Sequence, residues 1–467
     1  MNIAILGFGR EGKSLLKYLR SRGSTRITTP RFRSGQARPP AGRQGLTRKN
    51  DVWILDKNEN IKIPKGIKSQ LGKHFLKNLE RFDIIFRSPG VPWNLPELRR
   101  ARENGVEFSS ATRLFFEEIA AMVRRGSPQV IGVTGTKGKG TTATLIYKIL
   151  KAAGKDAHLA GNIGKSPLMT LPKLTRRSVV VLELSSFQLQ DLGRSPHIAV
   201  VLDVFPDHQD AHLNLKEYYE AKTNIARHQK KTDKIFFFKN HPLSRWVAAK
   251  SRARKYPVLE NRFALFAPED LKTKGFHNFK NAVMAAEVAR ALKIPHATIL
   301  KAIRKFRGLP HRLEFIRSIP YSQVLKNMRI SFYNDSASTN PHTTAAAIRA
   351  FPNAPTVLIA GGQDKGLNYA PLARALKHST VKLVVLFGEN KHKIAKTIKK
   401  TGVQLRLANN LHSAVKIATR FAVLLATRYS LPPIIIFSPG AASFDMFKNY
   451  ADRGNKFKKI VKNLKAR

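Results

Sequence analysis

The sequence predicts an α/β protein of three domains in series, and three observations carry that prediction. Apolar, β-branched runs alternate with helical patterns along most of the chain, as they do where helices flank parallel sheets. Glycine-rich turns at residues 7–12 and 132–140 each follow such a run and open a helix, which makes the first domain Rossmann-like and the second P-loop ATPase-like. The alternation resumes from about residue 308 in a third, Rossmann-like domain, and 467 residues suffice for roughly three cores.

Residues 2–6 read as a strand, Gly7-Phe8-Gly9-Arg10-Glu11-Gly12 as a G-x-G-x-x-G turn, and residues 13–22 as a helix. Residues 51–55 form the next strand, ending at Asp56, where a nucleotide-binding βαβ unit places an acidic residue. Between that helix and strand, residues 23–50 hold no Asp or Glu and are rich in Gly, Pro, Ser, Thr and Arg. A connection in such a unit normally takes about 2–6 residues. This stretch is therefore an insertion of disordered composition, read as a tolerated surface segment, with a nucleic-acid-binding loop as the alternative. Residues 83–88 are a further strand leading into Ser88-Pro89-Gly90-Val91-Pro92. A helix over 111–123 and a linker over 124–128 close a first domain at 1–125.

The central domain, 126–308, opens on the most informative stretch. Val130, Ile131 and Val133 read as a buried strand that breaks into a loop carrying Gly132, Gly135, Gly138 and Gly140, with a helix over 143–153. Strand, loop and helix in that order converge backbone N–H groups and a helix N-terminus on one point, a site for the polyphosphate of a nucleoside triphosphate. Gly135, Thr136, Lys137, Gly138, Lys139, Gly140, Thr141 and Thr142 line it. Lys139 stands where it would reach the outer phosphates, and Thr141 or Thr142 can offer a hydroxyl to Mg²⁺. Gly140 departs from the common pattern, which has Ser or Thr directly after the lysine.

Residues 179–184 form a buried-type strand carrying Glu183, a costly carboxylate unless it meets a metal or an arginine. A second strand, 198–204, leads to Phe205-Pro206-Asp207-His208-Gln209-Asp210; its end neighbours Glu183 if the two strands are adjacent, and His208 can ligate a metal or act as a base. Asn278 and Asn281 open a helix over 282–292 and lie on one face, suited to an adenine edge or, for Asn278, to a helix cap.

In the third domain, 309–467, strands over 330–333, 356–360, 383–387 and 434–437 and a helix from His342 suggest another parallel sheet. His311-Arg312, Asn334-Asp335-Ser336, the turn at 361–366 and residues 438–444 all fall at strand ends or tight turns, where α/β domains place ligands.

Composition excludes whole classes of function. There is no cysteine, so disulfides, thiolate metal sites and cysteine nucleophiles are ruled out. No run approaches the roughly 18 uncharged apolar residues of a membrane span, and the N-terminus enters a strand at once rather than a signal peptide, which points to a cytoplasmic protein. Lys and Arg number 84 against 30 Asp and Glu, a net charge of +54, more than an ATP site and acidic substrates need. That excess suits a polyanion partner such as RNA or an anionic membrane, but its spread along the chain reads better as a general basic bias.

Taken in order, these segments resemble the Mur ligase family. The resemblance rests on residues 135–142, on Leu182-Glu183-Leu184-Ser185-Ser186-Phe187-Gln188-Leu189, on Gly308-Leu309-Pro310-His311-Arg312 and on Asn334-Asp335-Ser336. Residues 443–454 are similar to the segment that marks the D-glutamate-adding branch. The resemblance covers all three domains and omits only the insertion.

It implies an ATP-dependent amide ligase of peptidoglycan precursor synthesis. ATP would phosphorylate the carboxylate of UDP-N-acetylmuramoyl-L-alanine, and the amine of D-glutamate would attack the acyl phosphate. Carried over by position, Lys139 and Thr141 hold phosphate and Mg²⁺, and Glu183 and His208 are metal ligands. Lys222 matches a lysine that the family carbamylates; a carbamate can ligate Mg²⁺ where an ammonium cannot. Asn278, Asn281, Arg312 and Asp335 match nucleotide contacts. Gly9 with its turn and Asp56 face the uridine diphosphate, Ser88 and Asn162 the rest of the UDP-linked substrate, and Thr339, Lys365, Ser443 and Phe444 the glutamate pocket. A monomer is implied. Gly140 resembles the folylpolyglutamate synthase loop and leaves the Mg²⁺ contact to Thr141, while Ala337 stands where lysine is common. Two other readings are a folylpolyglutamate synthase-like ligase, against which the N-terminal domain argues, and a basic RNA-binding protein on the same scaffold.

Overall fold

The computed structural model describes residues 1–22, 51–122, 126–206, 212–320, 329–429 and 431–464, and its strands form three sheets. The insertion at 23–50 and the candidate ligand His208 lie outside the described residues. The chain divides into two compact units, Met1–Phe263 with Asn281–Ala302 and Ala264–Lys280 with Ile303–Arg467. Among the described residues no helix is long and apolar enough to cross a membrane.

The first unit holds two sheets. The first comprises β1 (Asn2–Leu6), α1 (Arg10–Ser21), β2 (Asp51–Asp56), β3 (Lys68–Leu71), β4 (Ile84–Arg87), α2 (Pro96–Glu103), β5 (Glu107–Ser109) and α3 (Ala111–Ala121). Its strands are parallel, in the order β3-β2-β1-β4-β5. The chain leaves β1 to one side and returns to the other, so the turns after β1 and β4 diverge and leave a crevice between them.

The second sheet comprises β6 (Gln129–Thr134), α4 (Lys139–Ala152), β7 (Ala157–Gly161), β8 (Val179–Glu183), α5 (Ser186–Leu189), β9 (Ile198–Val201), α6 (Leu215–Arg227), β10 (Lys234–Phe238), α7 (Pro242–Ala249) and β11 (Arg254–Val258). The order is β11-β10-β9-β6-β8-β7, all parallel. Val130, Ile131 and Val133 of β6 are fully buried, as a central strand covered on both faces requires. Leu15 and Leu19 of α1 and Phe115 and Ile119 of α3 join Leu168 and Leu171 in one apolar cluster that runs from the first sheet to the second.

This order answers the condition on which the Glu183 strand and the 198–204 strand would be neighbours. β8 and β9 are not neighbours: β6 lies between them and pairs with both. The phosphate-type turn is thus flanked by the Glu183 end of β8 on one side and the end of β9 on the other. Helix starts also differ from the sequence reading. α1 begins at Arg10 and α4 at Lys139, with Gly9 and Gly138 as N-caps, so Lys139 to Thr142 form the first helical turn rather than loop.

After α8 (Phe276–Ala291) and α9 (His296–Lys305), the second unit carries β12 (Glu314–Pro320), β13 (Arg329–Asn334), α10 (Pro341–Arg349), β14 (Thr356–Ala360), α11 (Ala370–Lys377), β15 (Val381–Leu386), α12 (Lys391–Ile398), β16 (Gln404–Leu407), α13 (Leu411–Tyr429), β17 (Ile434–Phe437) and α14 (Tyr450–Lys462). The order is β12-β13-β17-β14-β15-β16. It is a mixed sheet, not the fully parallel one expected, because β12 pairs antiparallel with β13 at the edge.

Candidate functional site

The turn after β1 shapes the crevice of the first sheet. Gly7 has φ +86°, and a Cβ there would stand 2.9 Å from Ser88 Cβ, so glycine lets the β1 and β4 turns close on each other. Ser88 Oγ donates to Gly7 O at 2.6 Å. Asp56 accepts from Phe8 N–H at 2.6 Å and from Asn58 N–H at 2.8 Å, which fixes the turn against the end of β2. A Cβ on Gly9 would meet nothing within 4 Å. Gly7, Gly9, Asp56, Ser88 and Asn162 line a cavity of about 800 Å³. Gly9, Asp56, Ser88 and Asn162, the four residues carried over toward the UDP-linked substrate, are therefore brought together.

The turn after β6 is built differently. Gly135 and Gly138 hold φ of +148° and +83°, and Gly138 lies so close to the Asn281 amide that a Cβ would collide with it. Lys139 Nζ curls back to Gly135 O (3.1 Å) and Thr136 O (3.0 Å). Lys222, 1% exposed on α6, donates to the same Gly135 O at 2.9 Å and lies over the Tyr218 ring. Thr136 Oγ1 accepts from Phe205 N–H at 2.8 Å and meets the Tyr218 hydroxyl at 2.8 Å. Of the two candidate Mg²⁺ hydroxyls, Thr142 donates to Asn281 Oδ1 at 3.3 Å, and Thr141 is buried beside it.

Glu183 ends β8 in register with Val133 on β6 and Gly161 on β7. It is 6% exposed, and among the described residues no arginine or lysine pairs with it, so the ion-pair alternative is not realised. Glu183, Thr141 and a phosphate are hard oxygen donors of the kind Mg²⁺ takes. Among the described residues no cluster of three His, Asp or Glu forms a metal site by itself.

Three residues that sequence reasoning did not single out tie the first sheet to the second. Arg10 donates to Gly161 O (2.8 Å) and Asn162 O (2.9 Å). Glu11 Oε1 accepts from Gln188 Nε2 at 2.7 Å. Arg87, 2% exposed, donates to Phe187 O (2.9 Å) and pairs with Asp191 at 3.2 Å. Burial raises the carboxyl pKa of Glu11, against the lowering effect of the Gln188 hydrogen bond and Arg10. Burial likewise raises Asp191, against Arg87.

In the second unit, Asn278 sits inside the first turn of α8, where its amide donates to Lys274 O at 2.8 Å; it is not the cap. Arg312 is exposed. Asp335 is buried, and its carboxylate accepts from Ser338 Oγ (2.5 Å), Ser438 Oγ (2.7 Å) and Leu313 N–H (3.1 Å). Burial pushes its pKa up to about 6 despite those bonds. Backbone pairing of Gln363 with Ala442 draws the 361–366 turn to the segment after β17. Lys365 Nζ then lies 5.4 Å from the centre of the Phe444 ring, next to buried Ser443, while Thr339 is exposed.

A parallel sheet whose central strand runs into a glycine loop, with a lysine in the first helical turn and a carboxylate at the adjacent strand end, defines a P-loop nucleotide-binding protein. Comparison narrows that class. Residues 133–291 match the Mur ligase middle domain and residues 311–425 the Mur ligase glutamate ligase domain. The chain is 35% identical to the UDP-N-acetylmuramoylalanine--D-glutamate ligase of Acetivibrio thermocellus, over 89% of this chain and 92% of that one. It is 34% identical to the enzyme of that name from Symbiobacterium thermophilum, over 99% and 98%. The chain belongs to the Mur ligase family. Its fold is similar to the UDP-N-acetylmuramate-alanine ligase of Thermotoga maritima (TM-score 0.57, 19% identity, all of both chains). It is also similar to the folylpolyglutamate synthase of Mycobacterium tuberculosis (0.53, 14%), over 76% of this chain and 99% of that one.

Proposed function

We propose that this chain is an ATP-dependent ligase that joins D-glutamate to UDP-N-acetylmuramoyl-L-alanine through an acyl phosphate, in cytoplasmic peptidoglycan precursor synthesis. The observation that carries the reading is the β6 turn, with Lys139 and Lys222 on one loop carbonyl and the buried Glu183 carboxylate at the next strand end. The names of the relatives, matched along nearly their whole length, supply the substrate pair.

In this reading the domains at 1–125, 126–308 and 309–467 take the UDP-linked substrate, ATP and glutamate respectively. The turn amides and Lys139 hold the outer phosphates and oppose the charge that builds up as the phosphoryl group moves to the alanine carboxylate. Lys139 Nζ already lies at the turn, on Gly135 O and Thr136 O, within the loop that would receive the phosphates. Glu183 and Thr141, with His208 and a carbamylated Lys222, would hold Mg²⁺, which supplies charge neutralisation on the phosphates. Asn281, Asn278, Arg312 and Asp335 serve the nucleotide. Lys365, with Thr339, Ser443 and Phe444, receives the carboxylates of glutamate.

The test is phosphate release from Mg-ATP with UDP-N-acetylmuramoyl-L-alanine and D-glutamate, L-glutamate or no amino acid. Release that requires both the UDP-sugar and D-glutamate is the expected result. Release that is indifferent to the UDP-sugar, or equal with L-glutamate, would sink the reading.

A further inference from the structure

We infer that Glu11 is a positioning residue that sets the Glu183 end of the phosphate site from within the UDP-substrate turn; this rests on the ligase reading above. Glu11 belongs to the first glycine turn and lines its cavity. Its carboxylate reaches across 177 residues of sequence to Gln188. Gln188 does two jobs at once. Its Nε2 donates to Glu11, while its Oε1 accepts from Ser185 N–H at 3.0 Å and Ser185 Oγ at 3.1 Å, closing a capping box on α5. Ser185 is two residues beyond Glu183, so the orientation of the Gln188 amide fixes how the chain leaves β8.

The same strand end is held at two further points from the first sheet. Arg10, beside Glu11, grips Gly161 O and Asn162 O, and Asn162 N–H donates to Glu183 O at 3.1 Å. Arg87 grips Phe187 O at the far side of α5. Glu11 differs from these two. An arginine could hold a carbonyl in several rotamers, but only an acceptor at Glu11 makes Gln188 direct its donor toward α1 and its acceptor toward Ser185. Gln188 is 1% exposed, so a flipped amide would leave both ends unmatched. Arg10 and Glu11 line the substrate cavity, so the turn that receives the UDP-linked substrate also braces the carboxylate that would face the phosphates.

A swap of donor and acceptor tests this. Q188E places two carboxylates face to face, whereas E11Q/Q188E restores one hydrogen bond with its polarity reversed and keeps an acceptor for Ser185. The expected result for Q188E is a fall in kcat of about 10- to 100-fold, the scale of a small misplacement at a reacting centre. The Mg²⁺ needed for half-maximal rate should rise, and the Kd for the UDP-substrate should stay within about threefold of the parent. E11Q/Q188E should recover most of the lost rate, with thermal unfolding confirming that each variant folds.

A swap no better than Q188E would overturn the inference, as would a loss confined to the UDP-substrate Kd. A wild-type chain without ligase activity would instead count against the ligase reading. Calorimetric ADP binding with and without Mg²⁺ then decides the inference without turnover: the Mg²⁺-dependent gain should vanish in Q188E and return in the swap, and a gain that is equal in all three proteins refutes it.

Discussion

The first unit contains two glycine turns of similar sequence design that do different physical work. The turn after β1 is tied down by side chains, with Asp56 on Phe8 N–H and Ser88 on Gly7 O, and it opens on a cavity of about 800 Å³. The turn after β6 is stabilised by cations on its own carbonyls, with Lys139 and Lys222 both on Gly135 O, and its glycines are packed against Asn281 and Leu202. The first turn forms one wall of a large cavity. In the second, two lysines converge on a single loop carbonyl, Gly135 O. A glycine motif alone therefore does not say which kind of site it makes; the side chains at the neighbouring strand ends do.

The largest effect that this contrast predicts is at Lys139. Lys139→Ala should lower kcat for ATP-dependent phosphate release about 10²–10³-fold, the usual loss on removing one preorganised donor to a developing anion. Binding of the UDP-substrate at the other turn should be unchanged, which parallel kinetics and calorimetry would check. A comparable loss of UDP-substrate affinity would mean that the two turns are not separate sites.

Much of this contrast was legible in the sequence, and the limits of legibility have physical causes. The β6 turn was readable because glycine spacing, a β-branched strand and a following helix are all local signals. Glu183 was readable because a carboxylate inside an apolar strand has to be explained by a partner. Asp56 was readable as the acidic end of the second strand, but its bonds to Phe8 and Asn58 N–H depend on turn geometry that a motif does not specify. Arg87 with Asp191 and Glu11 with Gln188 were not readable at all. Their partners lie 104 and 177 residues away, and among 84 Lys and Arg nothing local marks Arg87 as buried. The edge strands β3 (KSQL) and β16 (QLRL) were missed because an edge needs few apolar residues. The order β9-β6-β8 is a topological choice that no single segment encodes.

The comparison extends to carboxylates at strand ends. Both Glu183 and Asp335 are buried; Glu183 has no ion-pair partner among the described residues, whereas Asp335 accepts from Ser338, Ser438 and Leu313. Burial raises Asp335 from 3.8 to about 6, so the folded chain binds a proton that the unfolded chain has already released. Its contribution to stability is then fully present below about pH 4, is lost as pH rises through about 6, and is flat above that. Two pKa units set the scale at about 3 kcal/mol. Asp335→Asn should remove this part of the slope, measured as the difference between parent and variant urea unfolding at pH 4.5 and pH 7. Parallel pH profiles would show that Asp335 titrates alike in both states.

The smallest effects return to the two turns, in a matched pair of glycine substitutions. Gly138 sits at φ +83° against the Asn281 amide, so its glycine is required by the fold itself. Gly138→Ala should lower unfolding free energy by about 1–2 kcal/mol from backbone strain alone, visible as a lower Tm without any ligand. Gly9 is in an ordinary extended conformation (φ −73°), and a Cβ there meets nothing within 4 Å. Gly9→Val should therefore lower Tm less than Gly138→Ala does, by no more than the loss of a favoured N-cap residue on α1. Its methyl groups project from a turn that lines the cavity, so the UDP-substrate should bind about tenfold more weakly, the low end of an overpacking penalty of about 1–3 kcal/mol. Opposite assignments, with Gly9→Val unstable or Gly138→Ala neutral, would mean that the first turn needs glycine for its fold and the second for its ligand. Because neither substitution changes a charge, the pair separates the shape of each turn from its electrostatics, which Lys139→Ala cannot do.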